Sequence, residues 1–400
     1  MSSIGDIWNF VANTKIGKGS GIAVFIFGTF FLIITERDYK RNRDVILEAE
    51  SIVVEANDVS LPDAELDGKL IYGVSKIRTD DILADGLFEV KVNAVKLIRS
   101  VEYYQWVEVK QTESDKNYEG KERTRTVYTY ERQWTDKPVD SEKFEKPQYR
   151  NRVIIEVRGM EKYADLVYWG AYELPLFLRS NVDGVTPVMI EISRGGKAAW
   201  ENRLRESALK HNGQDSSSLA DEYFHLFRAN TVHLGANPAS PRVGDMRATV
   251  TYIPPGRDLS VIAQVQGSTL AEYVSPKNGK SFHSVQNGVV SLEAMFKEEY
   301  ATNTASTWAY RLIGFCFILF GLRCMFNLVT NLFAKIPVLG SIVNVGASSG
   351  CLFIGLVWSS IIVGVAFLFY RPLTGLIVLL VAVGLIWLLK KKGVDSSYRH

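Results

Sequence analysis

The sequence predicts an α+β domain rich in antiparallel strands, attached to four transmembrane α-helices, one N-terminal and three C-terminal. Three observations predict it. Residues 37–307 form one long water-compatible block, a lone apolar run at 19–35 precedes it, and the last third is almost wholly apolar, broken at Arg323, Lys335 and Arg371. The whole-chain averages hide this division: over 400 residues the net charge is +2 and the mean hydropathy +0.01. The block carries 36 Lys and Arg against 41 Asp and Glu, while the remaining residues carry 10 against 3. An acidic block lacks the concentrated basic face that nucleic acid requires, so no nucleic-acid partner is expected. Cys316, Cys324 and Cys351 all lie in the apolar third, leaving the block no disulfide and no thiolate metal site.

Residues 1–18 read as a cytoplasmic segment. Ile4, Ile7, Trp8 and Val11 keep helical spacing, which suits an interfacial helix or a plain N-terminal continuation equally. Gly17, Gly19 and Gly21 lack the preceding strand and following Lys-Ser/Thr of a phosphate loop, and fit a flexible membrane entry. The first span, 19–36, holds 17 uncharged residues, near the lower limit for crossing about 30 Å at ~1.5 Å per residue. It has no small-residue cleavage site and meets Glu36-Arg37-Asp38 at once, the pattern of an uncleaved signal anchor.

Within the exoplasmic α+β domain, 37–307, residues 70–77, 88–98 and 100–108 are Val-, Ile-, Leu- and Tyr-rich and read as strands. Residues 101–108 and 125–134 flank a polar segment, 111–123, and predict a hairpin with a long polar loop. Period-two alternation puts Tyr104 and Trp106 on one strand face and Tyr128, Tyr130, Arg132 and Trp134 on a face of the partner. Cross-strand aromatic pairs contribute about 0.2–1 kcal/mol each, so ribbon packing is expected, with ligand stacking as the sharper alternative. The apolar segment 161–179 is expected in the core, 197–210 as helix, 212–218 as linker. Residues 248–253 and 259–266 form strands joined by the Pro254-Pro255-Gly256-Arg257-Asp258 turn. Strands, helical matter, then strands indicate α+β rather than a doubly wound sheet, whether as one subdomain or two.

The second span, 308–334, carries Arg323 near its middle, where a cation costs about 2.5–3.5 kcal/mol on insertion scales. A transport or relay role is one account of it; snorkelling or a backbone-carbonyl partner is the packing account. The third span, 335–371, contains 35 uncharged residues, more than one crossing needs, and suggests an interfacial or re-entrant piece around 337–346. In it Gly346 and Gly350 form a Gly-x-x-x-Gly suited to close helix approach, within the chain or between copies. The fourth span, 372–389, follows Arg371-Pro372, and a basic tail, 390–400, closes the chain. Four spans return both termini to one side. Lys15, Lys18, Lys335, Lys390, Lys391, Lys392 and Arg399 gather on that side, leaving Arg371 in the opposite loop, so the positive-inside rule makes the tails cytoplasmic and the block exoplasmic.

No His-Glu-x-x-His, Gly-x-Ser-x-Gly or P-loop occurs in the block, and His211, His225, His233 and His283 show no metal-ligand spacing. No catalytic, cofactor or metal residues are therefore expected, and the chain does not read as an enzyme.

Four strings carry a family resemblance: Gly68-Lys-Leu-Ile-Tyr-Gly-Val-Ser-Lys-Ile-Arg78, Val95-Lys-Leu-Ile-Arg-Ser-Val-Glu-Tyr-Tyr-Gln-Trp-Val-Glu108, Val243-Gly-Asp-Met-Arg247 and Leu368-Phe-Tyr-Arg-Pro-Leu373. With them, nearly the whole chain resembles the LUMA family, the transmembrane protein 43 group. The resemblance implies a membrane protein with a large lumenal domain, in the endoplasmic reticulum and inner nuclear membrane of animals, or in the inner (plasma) membrane with a periplasmic domain in a bacterium. It implies a non-enzymatic scaffold that organises membrane protein complexes in the lipid bilayer as a homo-oligomer. Lamin or emerin type partners follow for a eukaryotic member alone. The alternatives are a transporter or channel component using Arg323 and an unrecognised exoplasmic enzyme.

Overall fold

The computed structural model describes residues 20–56, 58–116, 122–151, 155–212, 222–333 and 339–370. The expected N-terminal interfacial segment, Arg371, the fourth span at 372–389 and the basic tail lie outside these residues. Four long helices are α1 (Ser20–Ile52), α2 (Arg194–Asn212), α3 (Leu292–Phe333) and α4 (Leu339–Tyr370). The chain divides into two compact units: a helical one of Met1–Ile52, Val274–Phe282 and Glu293–His400, and a sheet-rich one of Val53–Tyr273 and His283–Leu292.

In the helical unit α1 does not stop at the Glu36-Arg37-Asp38 charge cluster but runs to Ile52. No glycine or proline lies between Gly28 and Pro62, and Lys40 and Asp44 form an i,i+4 ion pair at 2.5 Å that favours helix. Helix α3 likewise begins at Leu292, well before the expected boundary at 308. Both ends of the 37–307 block therefore belong to helices of the membrane-type unit. Hydropathy marks where apolarity stops, whereas the helix continues as an amphipathic one that buries Val45, Ile46 and Ala49 on α1 and Met295 and Phe296 on α3. The expected re-entrant piece at 337–346 is, from Leu339 onward, continuous with the long helix α4.

Helices α1 and α3 run antiparallel at glycine-limited distance. A Cβ at Gly321 would stand 2.6 Å from the Phe25 backbone nitrogen, and one at Gly28 would stand 2.9 Å from the Phe317 Cβ. Gly21 meets Cys324 and Gly314 meets Leu32 just as closely. In both helices the glycines recur at seven residues, two turns, so they line one face. Helix α4 joins through Leu32, Ile318, Leu322 and Cys351, which are buried together, and through a Trp358 indole N–H donating to Thr29 Oγ1 at 3.0 Å. Gly346 and Gly350 lie on α4, and a Cβ at Gly350 meets nothing within 4 Å among the described residues. Among the described residues the stretch Leu292–Phe326 is long and apolar enough to cross a membrane, and Gly350–Ala366 is a shorter apolar helical stretch. Phe30, Ile34, Leu312, Phe353 and Phe369 stand outward, Phe369 81% exposed, where a soluble protein would bury them.

Among the described residues the sheet-rich unit holds two seven-stranded sheets and one small two-stranded one, Ile82–Asp85 with Val90–Asn93. In one large sheet, Leu70–Arg78 pairs with Asp258–Gln266 on one side and Tyr168–Trp169 on the other. The Tyr172–Glu173 and Thr269–Ala271 strands connect the remaining edges and close a ring. Trp169, fully buried, fills it, its indole N–H donating to the Leu259 carbonyl at 2.8 Å. Gly73 leaves room for this ring, since a Cβ there would lie 2.9 Å from the indole. The segment 161–179 thus supplies core, as its apolarity predicts, through Val167, Trp169, Tyr172, Leu174 and Leu178.

The second large sheet runs β3–β4–β5–β1–β2, built from β1 (Lys96–Lys116), β2 (Glu122–Thr135), β3 (Phe224–Arg228), β4 (Thr231–Leu234) and β5 (Met246–Ile253). One of its faces, with Leu97, Val101, Val232, Ala248 and Val250, packs on Trp200 and Leu204 of α2. The expected polar loop at 111–123 is largely strand: β1 and β2 stay in antiparallel register from Tyr103 and Thr135 to Lys116 and Glu122. Polarity suggested a loop there, but the flanking β-branched Thr124, Thr126, Val127 and Thr129 favour strand, and the ladder they anchor continues through Thr112 to Lys116.

Gly321→Leu is expected to destabilise the helical unit by about 1–3 kcal/mol, the cost of overpacking a tight contact. Gly350→Leu should leave the melting temperature of detergent-solubilised protein unchanged. Equal melting temperatures for Gly321→Leu and the parent would disprove the close α1–α3 approach.

Candidate functional site

The α1–α3 seam ends in an ion pair. Arg311 donates to Glu36 through Nε at 2.6 Å and Nη2 at 2.9 Å, with Glu36 only 3% exposed. The guanidinium also lies over Trp308 at 4.8 Å and Tyr39 at 5.9 Å. These residues stand where both helices change from apolar to charged sequence. Further along, Tyr39, Arg43, Leu47, Glu50, Tyr300, Asn303 and Thr304 line a cavity of about 320 Å³. The Tyr300 hydroxyl donates to Glu50 at 2.6 Å, and burial, then this carboxylate, push the phenol well above its ordinary range. Residues 274–282 lie on the same helices: Arg41 and Asn278 exchange two side-chain-to-backbone bonds, the Ser275 hydroxyl donates to Glu48, and Phe282 stacks on Phe296.

Arg323, the cation expected inside a span, is buried at 6% exposure in α3, with Cys351 of α4 within its electrostatic reach. It does not snorkel to the surface. Arg371 lies outside the described residues.

On the β1–β2 ribbon, Tyr104 faces Trp134 at 5.2 Å between ring centroids, and Arg132 covers Trp106 at 5.3 Å. Residues 141–149 fold back onto this face, where Tyr149 stacks on Tyr130 at 4.0 Å and meets Trp106 edge-on at 4.8 Å. The aromatics satisfy one another, which is ribbon packing rather than an open stacking platform. Glu108 sits beneath them. Burial pushes its carboxyl up, but hydrogen bonds from the Tyr130 hydroxyl and the Glu145 amide, both 2.7 Å, and the nearby Lys110 outweigh this and hold it below the usual range.

The same sheet face continues into a polar cluster. Arg247 lies over Trp134 at 4.4 Å and grips Glu102 with two bonds, 2.5 and 2.9 Å. Beside it the buried His233 Nε2 stands 3.3 Å from the buried Asp245 carboxylate, and His225 is the cross-strand partner of His233. Of the four histidines, two are thus brought together. His283 instead pairs with Glu272 at 3.2 Å, and the side chain of His211 lies outside the described set. No group of three or more metal-ligating side chains occurs among the described residues.

Asp245 holds a corner. Its side chain accepts the Arg242 amide at 2.9 Å, its carbonyl accepts the Tyr104 amide at 2.9 Å, and the Gly244 amide donates to the Tyr104 carbonyl at 3.0 Å. Gly235 must lack a side chain here, because a Cβ would come within 2.2 Å of the Asp245 carboxylate. Two sequence strings far apart in the chain, Val243–Arg247 and the Tyr104 strand, are therefore one structural device. Glu36, Arg311, His233 and Asp245 escaped the sequence reading. A carboxylate ending one apolar run and an arginine opening another was the available signal for the first pair; Asp245 stood in the quoted Val243–Arg247 string, but nothing local tied it to His233.

The fold joins a sheet-rich unit to apolar helices of an integral membrane protein. A family model described as transmembrane protein 43 matches residues 103–372. The chain is 26% identical to transmembrane protein 43 of Homo sapiens over 380 residues, covering 92% of this chain and 88% of that protein. The rat protein is 26% identical over 375 residues, covering 91% and 86%. The Drosophila melanogaster homolog is 27% identical over 322 residues, covering 79% and 78%. No solved structure matches. The chain belongs to the transmembrane protein 43 family.

Arg311→Ala strands a buried carboxylate and is expected to cost about 3–5 kcal/mol. Replacing both Glu36 and Arg311 by Leu should recover most of that, and a single-variant loss below about 1 kcal/mol would show that the pair is not buried. A carboxyl held low in the fold adds stability above its unfolded value near ~4.3, lost as pH falls. Glu108→Gln should therefore shrink the drop in urea midpoint between about pH 7 and about pH 3.

Proposed function

We propose that this protein is a non-enzymatic, multi-pass membrane scaffold whose sheet-rich unit faces the exoplasmic side and collects membrane proteins, including further copies of itself. The observation that carries the proposal is chain connectivity: the chain passes between the helical and sheet-rich units at 52/53, 273/274, 282/283 and 292/293. A domain tied four times to a bundle of apolar helices is built for display at a membrane. The aromatic ribbon, whose rings pack on one another, supports an architectural role over a chemical one. The spans are 19–36, 308–334, 335–371 and 372–389, with the bilayer boundary at Glu36 and Arg311 and basic tails in the cytoplasm. In a eukaryotic cell such a protein would occupy the endoplasmic reticulum and inner nuclear membrane, where emerin- or lamin-type partners are available; in a bacterium, the inner membrane.

Arg323 favours a second reading, a transporter or channel component, because a cation buried inside a bundle is costly unless used. Flux through reconstituted vesicles that disappears in Arg323→Ala would support it over scaffolding.

Crosslinking in intact membranes should recover this chain with itself and with other membrane proteins; a strictly monomeric, partner-free product overturns the scaffold. Protease added outside sealed, cytoplasm-out vesicles should leave residues 111–123 intact, and cleavage there would reverse the orientation.

A further inference from the structure

The cavity between α1 and α3 has a position and a charge that fit one ligand chemistry. It lies on the helical unit alone, starting within a turn of the Glu36–Arg311 pair. Tyr39 and Arg43 follow Glu36 by three and seven residues, roughly 5 and 10 Å along the helix. The headgroup layer of a bilayer extends about 5–8 Å beyond its hydrocarbon. The near end of the cavity therefore opens at headgroup depth, and its volume of about 320 Å³ is at the small end of ligand sites, which run about 300–1,000 Å³.

Its charges are unevenly spent. Glu50 is engaged by the Tyr300 hydroxyl. Asn303 is tied to the Tyr39 carbonyl at 3.2 Å and to Asn42 at 3.4 Å. Arg43 makes no hydrogen bond or ion pair among the described residues and acts on Tyr300 only through its field. Two neighbouring cations on α1 are committed, Lys40 to Asp44 and Arg41 to Asn278, and Arg37 does not line the cavity. The cavity thus offers one exposed guanidinium and the aliphatic Leu47, the Thr304 hydroxyl being spent on the Tyr300 carbonyl at 2.8 Å. The Arg43 side chain, tilted towards the N-terminus of α1, reaches back from ~10 Å towards headgroup depth. A guanidinium is suited to phosphate oxygens by its planar fork of donors.

We propose that this cavity seats the phosphate headgroup of an anionic membrane lipid, with Arg43 as the contact that selects it. The site rests on the bilayer boundary proposed above. Full-length protein is placed in nanodiscs of phosphatidylcholine containing phosphatidylglycerol, released, and its retained lipids counted by native mass spectrometry. Wild type should retain phosphatidylglycerol over phosphatidylcholine, and Arg43→Gln should lower that preference about tenfold, the loss of one charge-assisted contact. Arg43→Lys should restore part of it. Equal retention by wild type and Arg43→Gln overturns the proposal, as does displacement of the retained lipid by soluble glycerol 3-phosphate, which would make free phosphate the ligand. The boundary is checked separately with a water-soluble maleimide on intact nanodiscs: Lys40→Cys should label and Ile34→Cys, on the outward face of α1, should not. Failure of that pattern removes the boundary, whatever the lipid count.

Discussion

The antiparallel seam between α1 and α3 carries the helical unit, and the Glu36–Arg311 pair is its lock. Glycines at Gly21, Gly28, Gly314 and Gly321 let the backbones approach until Phe25 and Phe317 seal the contact. Apolar packing of this kind permits sliding, because one turn of helix looks much like the next. A buried, two-pronged ion pair does not, since a one-turn slip would leave a carboxylate and a guanidinium each without its partner. Register along more than four turns of helix follows from that single geometric demand, as does the placement of the cavity and of residues 274–282 against the same two helices.

The sheet-rich unit uses a different device for the same end. A strand pair slipped by one residue would turn every core side chain outward. Trp169 inside the closed ring and Asp245 at the corner of the second sheet each prevent that, one by volume and the other by accepting amides from two directions. The buried His233 beside Asp245 and the Arg247–Glu102 pair extend the corner into the aromatic ribbon. Polar groups here position strands.

The hairpin, the apolar core of 161–179, the helix at 194–212 and the apolar helices were legible because each is written locally, in period-two or period-3.6 patterns or in uninterrupted hydropathy. The helix ends at Ile52 and Leu292 were not, since a charged residue ends an apolar run without ending a helix. Residues 111–116 and 122–123 misled for the converse reason: composition marked them as loop, while they continue the strands of the hairpin in register. The glycines that do meet a neighbouring helix, Gly21, Gly28, Gly314 and Gly321, carry no local mark, because spacing cannot say which face meets a neighbour.

Membrane class and family membership were already set by residue order, because hydrophobic length and the four quoted strings are properties of contiguous chain. Which carboxylate would meet which arginine across 275 residues, which histidines would be neighbours, and which glycines would touch a backbone depended on how distant segments were brought together. Those contacts are decided by packing and desolvation, energies that exist only once both partners occupy the same space.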